Sequence, residues 1–151
     1  LAAAALSSST VLLHDSARFV MGARKLSESF LHLGPGATAV PQPPFTGMEW
    51  YEGYGMRHGD DGAEGRLVSQ YIFTEDWDSW EVHPKGAEVV ICTHGAMVLT
   101  QEFPDGRTET VALSAGEYAV NPPGVWHTAD VAESATAVFI TAGEGTQHRP
   151  R

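Results

Sequence analysis

From Arg66 onward, turn-forming residues cut the chain into short segments, and this rules out long helices as its framework. The pieces read RLVSQYIFTE, WDSWEVH, EVVICT, GAMVLTQEF, RTETVAL, EYAV, VWHTAD and ATAVFIT. They are rich in β-branched and aromatic side chains, which suit a pleated and half-buried surface. Pro104-Asp105-Gly106 has the chemistry of a hairpin turn between two of them. Seven or eight short strands at this spacing predict an all-β barrel or sandwich.

The first part of the chain reads differently. Residues 34–47 hold four Pro and three Gly, and residues 53–65 hold five Gly. Proline cannot donate to a helix or a central sheet ladder. Residues 27–65 are therefore expected to form an irregular, extended arm with edge strands. Helix is expected only within 11–26, and 1–26 reads as a tail or short helix. Leu1–Thr10, apolar and then small, reads as a cloning remnant or a surface tail, with Met21 an alternative start. Residues 142–151 read as a loosely packed polar tail.

Composition narrows the partners. A formal charge of −10 argues against nucleic acid, because phosphate binding needs clustered positive charge. No apolar run reaches the ~18 residues of a membrane helix, so no membrane is expected. One cysteine, Cys92, excludes an internal disulfide framework and an all-cysteine zinc site, and suits a cytoplasmic location.

The candidate chemistry lies in Glu81, His83, Glu88 and His127. Alternate residues of a strand share a face, so Glu81 and His83 point the same way. The turn Pro84-Lys85-Gly86 then brings Glu88 back beside His83, and Asn121-Pro-Pro-Gly-Val-Trp126 sets His127 at a strand start. Two imidazoles with one or two carboxylates suit a divalent transition metal such as Fe, Mn, Ni or Zn. By alternation, Cys92 and His94 are expected to share the inward face of Glu88. Cys92 then reads as a small buried hydrophobe and His94 as a hydrogen-bonded group at the far end of the barrel. Tyr71, Phe73, Trp80, Tyr118, Trp126 and Phe139 supply aromatic bulk.

These residues resemble the two cupin motifs. His83, Glu88 and Gly95 fit the second histidine, the glutamate and the closing glycine of the first motif. Gly116, Pro122, Gly124 and His127 fit the second motif at its spacing. The resemblance covers roughly 66–141, which is 76 of 151 residues. Three positions depart from it: Glu81 replaces the first motif histidine, Glu75 the opening glycine, and Val131 the last asparagine. The resemblance implies a single cupin domain, a jelly-roll-type antiparallel β-barrel over 66–141 with an irregular N-terminal arm. It implies a metal held by Glu81, His83, Glu88 and His127, with Glu81 and His127 as candidate catalytic groups. It implies a small organic substrate inside the barrel, met also by Tyr54, His58, Tyr71, Phe73 and Tyr118, and a homodimer. The leading expectation is a metal-dependent enzyme, most readily a dioxygenase, with isomerase or lyase chemistry within the fold's range. A non-catalytic ligand-binding cupin and a metal-free acid–base epimerase or cyclase remain open readings.

Overall fold

A computed structural model describes residues 22–151. Within it ten strands run β1 (Leu31–Gly34), β2 (Thr38–Pro41), β3 (Arg66–Phe73), β4 (Ser79–Val82), β5 (Glu88–Glu102), β6 (Thr108–Ser114), β7 (Tyr118–Asn121), β8 (Trp126–Asp130), β9 (Ala135–Thr141) and β10 (Gln147–Pro150). The expected helix within 11–26 falls largely outside the described residues, as does the Leu1–Thr10 segment.

β5 organises the molecule. Its first half pairs with β7 and β9, and its second half with β6 and β8, all antiparallel. One sheet therefore runs β2-β1-β3-β9-β5-β7 and the other β10-β4-β8-β5-β6, with β5 common to both. This is an antiparallel jelly-roll barrel whose hydrogen-bonded path ends at β10 and β2 rather than closing. Between the sheets lie Val90, Cys92, Met97, Leu99, Leu113, Ala129, Ala137 and Phe139, all buried. Cys92 is thus the small buried hydrophobe that alternation predicts.

Alternation fails two residues later. A bulge in the β5–β9 pairing between Cys92 and His94 puts an unmatched residue into the strand, and His94 turns out to solvent. Gly95 follows at φ +68°, and a Cβ there would lie 2.0 Å from the Ser134 carbonyl oxygen. This is the physical need behind the closing glycine of the first motif.

The glycine-rich stretch is not irregular as expected. Trp50–His58 forms helix α1, followed by a 3₁₀ segment over Gly59–Glu64. Gly53 and Gly55 weaken its intrinsic propensity, so the packing holds it. Trp50, Tyr51 and Tyr54 form an aromatic stripe against Phe30, Phe45 and Tyr71. Trp50 meets Phe30 edge-on at 5.2 Å, stacks on Tyr54 at 5.4 Å, and donates its indole N–H to the Pro43 carbonyl at 3.1 Å.

The end of the chain is also more ordered than a loose tail. β10 pairs with β4 in register over four residues. Arg149 lies over the rings of Trp80 and Trp126 and pairs with Glu102 at 2.9 Å. Arg151 pairs with Asp130.

Candidate metal centre

The site is built from two cross-strand rungs that face each other. Residues directly opposite in neighbouring strands share a face. In one sheet His148, Glu81, His127 and Gln101 lie opposite one another across β10, β4, β8 and β5. In the other, Asn121, Glu88 and Thr141 lie opposite across β7, β5 and β9. His83, just past β4, completes the group. Glu81, His83, Glu88 and His127 thus present one ligand atom each, all within 4.8 Å of one another.

Glu88 is the anchor. Its carboxylate is buried and accepts from Asn121 Nδ2 at 3.1 Å and Thr141 Oγ1 at 2.7 Å. Gln101 Nε2 donates to Asn121 Oδ1 at 2.8 Å and so fixes the amide that fixes the carboxylate. His83 Nε2 lies 3.0 Å and His127 Nε2 3.2 Å from its two oxygens.

The outer ring nitrogens show which tautomers these imidazoles hold. His127 Nδ1–H donates to the Val125 carbonyl at 3.2 Å. His83 Nδ1–H donates at 2.7 Å to Thr146 Oγ1, whose own proton goes to the Gly143 carbonyl at 2.9 Å. In their neutral forms both rings therefore turn bare Nε2 lone pairs toward a carboxylate, and both Nε2 atoms are then buried without a hydrogen-bond partner. Lone pairs converging on an anion repel unless a cation lies among them. A divalent metal or a captured proton meets that need. In the proton's case, burial would lower the pKa of His83, but the hydrogen bond and charge of Glu88, with Glu81, raise it. Burial would likewise raise Glu88, and His127 and His83 instead hold it well below the carboxylate range.

Two separate motifs, on opposed sheets of one jelly roll, meet at a buried carboxylate–imidazole cluster. The chain has a cupin fold. No protein-family model matches the sequence, and none of the curated proteins does. Among solved structures, an oxalate oxidase is 17% identical over 54% of this chain and 44% of its own, with TM-score 0.48. The Bacillus subtilis oxalate decarboxylase is 14% identical over 64% of this chain and 26% of its own, with TM-score 0.49. A cupin-2 domain protein from Shewanella frigidimarina is 26% identical over 57% of this chain and 71% of its own, with TM-score 0.41. The match thus spans under half of the oxidase and about a quarter of the decarboxylase.

The cupin barrel opens on a cavity of about 930 Å³ that reaches Glu81, His83 and Glu88. His127 lies beneath it, fully buried. Tyr54, His58, Tyr71 and Phe73 line the cavity. Tyr118 does not: it sits on the outer face of β7, 68% exposed, while Asn121 of the same strand turns inward. The strand was legible, but its phase was not. Glu81 lies toward the mouth, 3.7 Å from His83 Nε2 and 3.3 Å from His148 Nε2. The hydroxyls of Tyr51 and Tyr71 are paired in the wall, and burial pushes both phenols up.

A second cluster escaped sequence reading because its members lie far apart in the chain. Buried His32 on β1 donates Nε2–H to Asp61 Oδ2 at 2.8 Å and accepts the Tyr54 hydroxyl at Nδ1, 2.7 Å away. His58 stacks on His32 at 3.7 Å and accepts from Gln42 Nε2 at 2.8 Å. Arg57 Nε donates to Gln42 Oε1 at 3.3 Å, which sets that amide's orientation. Both ring nitrogens of His32 and Nε2 of His58 have partners within the protein, while His58 Nδ1 lies 3.9 Å from Asp61 Oδ2, and the group braces α1. Asn121, Thr141, Gln101 and His148 were missed as well, since only the strand register brings them to the site, and so was Thr146, in the turn before β10.

Proposed function

We propose that this chain is a metal-dependent enzyme acting on a small organic molecule in the barrel. The observation that carries the reading is the pair of buried, unpartnered Nε2 atoms aimed at Glu88. His83, Glu88 and His127 would hold the ion, with Glu81 as fourth ligand or as base. A divalent Fe, Mn, Ni or Zn ion supplies Lewis acidity there and, for iron or manganese, one-electron redox chemistry suited to a dioxygenase. Two carboxylates offset its charge in a buried setting.

The chain's own residues divide the remaining work. Asn121 and Thr141 fix Glu88, and Val125 and Thr146 fix the two rings. Glu81, one-quarter exposed, is the carboxylate with room to act on a proton. His148, half exposed and 3.3 Å from Glu81, offers that proton a route to solvent.

The test is elemental analysis of protein purified without a histidine tag, beside His127→Ala and the bulkier His127→Gln. Near-stoichiometric metal in the wild type, lost in both folded variants, is the expected result. A wild type that takes up no metal on reconstitution overturns this reading and leaves acid–base chemistry by Glu81 and His148 in its place.

A further inference from the structure

The walls of the same cavity carry a charge and a texture that select among substrates. Six acidic residues line it: Glu75, Asp76, Asp78, Glu81, Glu88 and Glu144. Among the described residues, no lysine or arginine does. The arginines close by are committed elsewhere, Arg149 to Trp80, Trp126 and Glu102, and Arg151 to Asp130. A divalent ion at the centre would still leave four of the six negative charges uncompensated. His58 and His148 are the remaining titratable side chains in the wall besides His83 and the tyrosines.

Most of the apolar lining is aromatic, with Met48, Leu67 and Ile72 beside it. Phe45, Tyr51, Tyr71, Phe73, Trp77 and Phe139 surround the space. Trp77 packs against Phe73 and Phe139 at 5.5 and 5.9 Å. Its indole N–H is buried with no acceptor. A buried indole N–H without an acceptor, in the wall of an aromatic-lined cavity, points to a ligand whose ring carries an acceptor such as a hydroxyl.

We infer that the cavity takes an aromatic ring bearing a protonated amine. The ring fits between the aromatic walls, and the ammonium sits among Glu75, Asp78 and Glu144 with ring faces beside it. A small dicarboxylate or an aromatic acid meets net repulsion instead. The inference rests on the barrel cavity being the substrate site.

Three probes sharing one ring test it by calorimetric titration: tyramine, para-ethylphenol and para-hydroxyphenylpropanoate. Three solvated carboxylates at the rim should favour tyramine over the neutral phenol by on the order of tenfold at low salt, with the propanoate weaker still. Added salt should shrink the gap. The double variant Asp78→Asn, Glu144→Gln should keep ring binding and lose most of the preference for tyramine. Equal affinities, a tighter propanoate, no binding of any probe, or a preference untouched by the double variant overturns the inference. Each titration is run on metal-loaded and metal-free protein. The expected ordering without metal uptake counts against the metal reading alone, and metal uptake without the ordering counts against this inference alone.

Discussion

Thr146→Val isolates one atom of the centre. Valine has the shape of threonine, so the change leaves no cavity and removes only the hydroxyl. That hydroxyl is the acceptor for His83 Nδ1–H at 2.7 Å, on a ring 3% exposed. Its loss strands a buried donor, which costs about 1–3 kcal/mol. The same loss frees the ring to rotate or change tautomer, and groups that orient a metal-bound imidazole contribute about 10–100-fold in affinity. The two estimates agree, since tenfold is about 1.4 kcal/mol. Urea unfolding of the metal-free protein should therefore show a loss of about 1–3 kcal/mol. Zinc competition against a chromophoric chelator should show affinity about 10–100-fold weaker. Thr146→Ser, which restores the hydroxyl, should recover most of both. A valine variant equal to wild type in both assays would refute the argument that the outer proton of His83 is fixed and that its Nε2 lone pair faces Glu88.

Two further outcomes follow from the fold. Gly95→Ala adds a Cβ 2.0 Å from a carbonyl oxygen at a left-handed φ, so chemical denaturation should show about 2–5 kcal/mol lost, the sum of the left-handed strain and the clash. Burial and the charge of Asp61 push the Tyr54 phenol up to about 12, above its ordinary value of about 10. A raised folded pKa means stability that is present below about pH 10 and lost as pH climbs from there toward 12. Ultraviolet titration should find the buried phenols Tyr51, Tyr54 and Tyr71 ionising late, with one fewer in Tyr54→Phe, and that variant should show a weaker decline in stability across the same window. An identical alkaline decline in both proteins would assign it elsewhere.

The gathering of Glu81, His83, Glu88 and His127 was legible because local rules carry it. Alternation pairs Glu81 with His83, a three-residue turn returns Glu88, and a proline-rich turn sets His127. What failed was whatever depends on register or on packing between distant segments. His94 left the inward face because a bulge shifts the period. Tyr118 lies on the outer face of β7 and Asn121 on the inner one, and a short strand does not reveal which of its faces is buried. The α1 helix was hidden by its two internal glycines, which tertiary aromatic packing overrides. The β10 strand was hidden by polar residues of low β-propensity that are held by β4 and by the Arg149 stack. The β10 pairing decides the site, because it carries His148 in register with Glu81 and follows directly on Thr146.

β5 also has a meaning for how the molecule assembles. It pairs with four strands, and its register with β9 joins Glu88 to Thr141 and Gly95 to Ala135. Those contacts close loops of some forty to fifty residues, and long closures made before they are rewarded put barrels of this kind on the millisecond-to-second scale of folding. Until β7 and β9 arrive, the first half of β5 offers two open edges and a stripe of valine and isoleucine, a template for pairing between chains. Slow refolding and concentration-dependent loss of yield are the natural weaknesses of such a design. The piece of chain that supplies Glu88 is thus also the piece on which the folding rate depends.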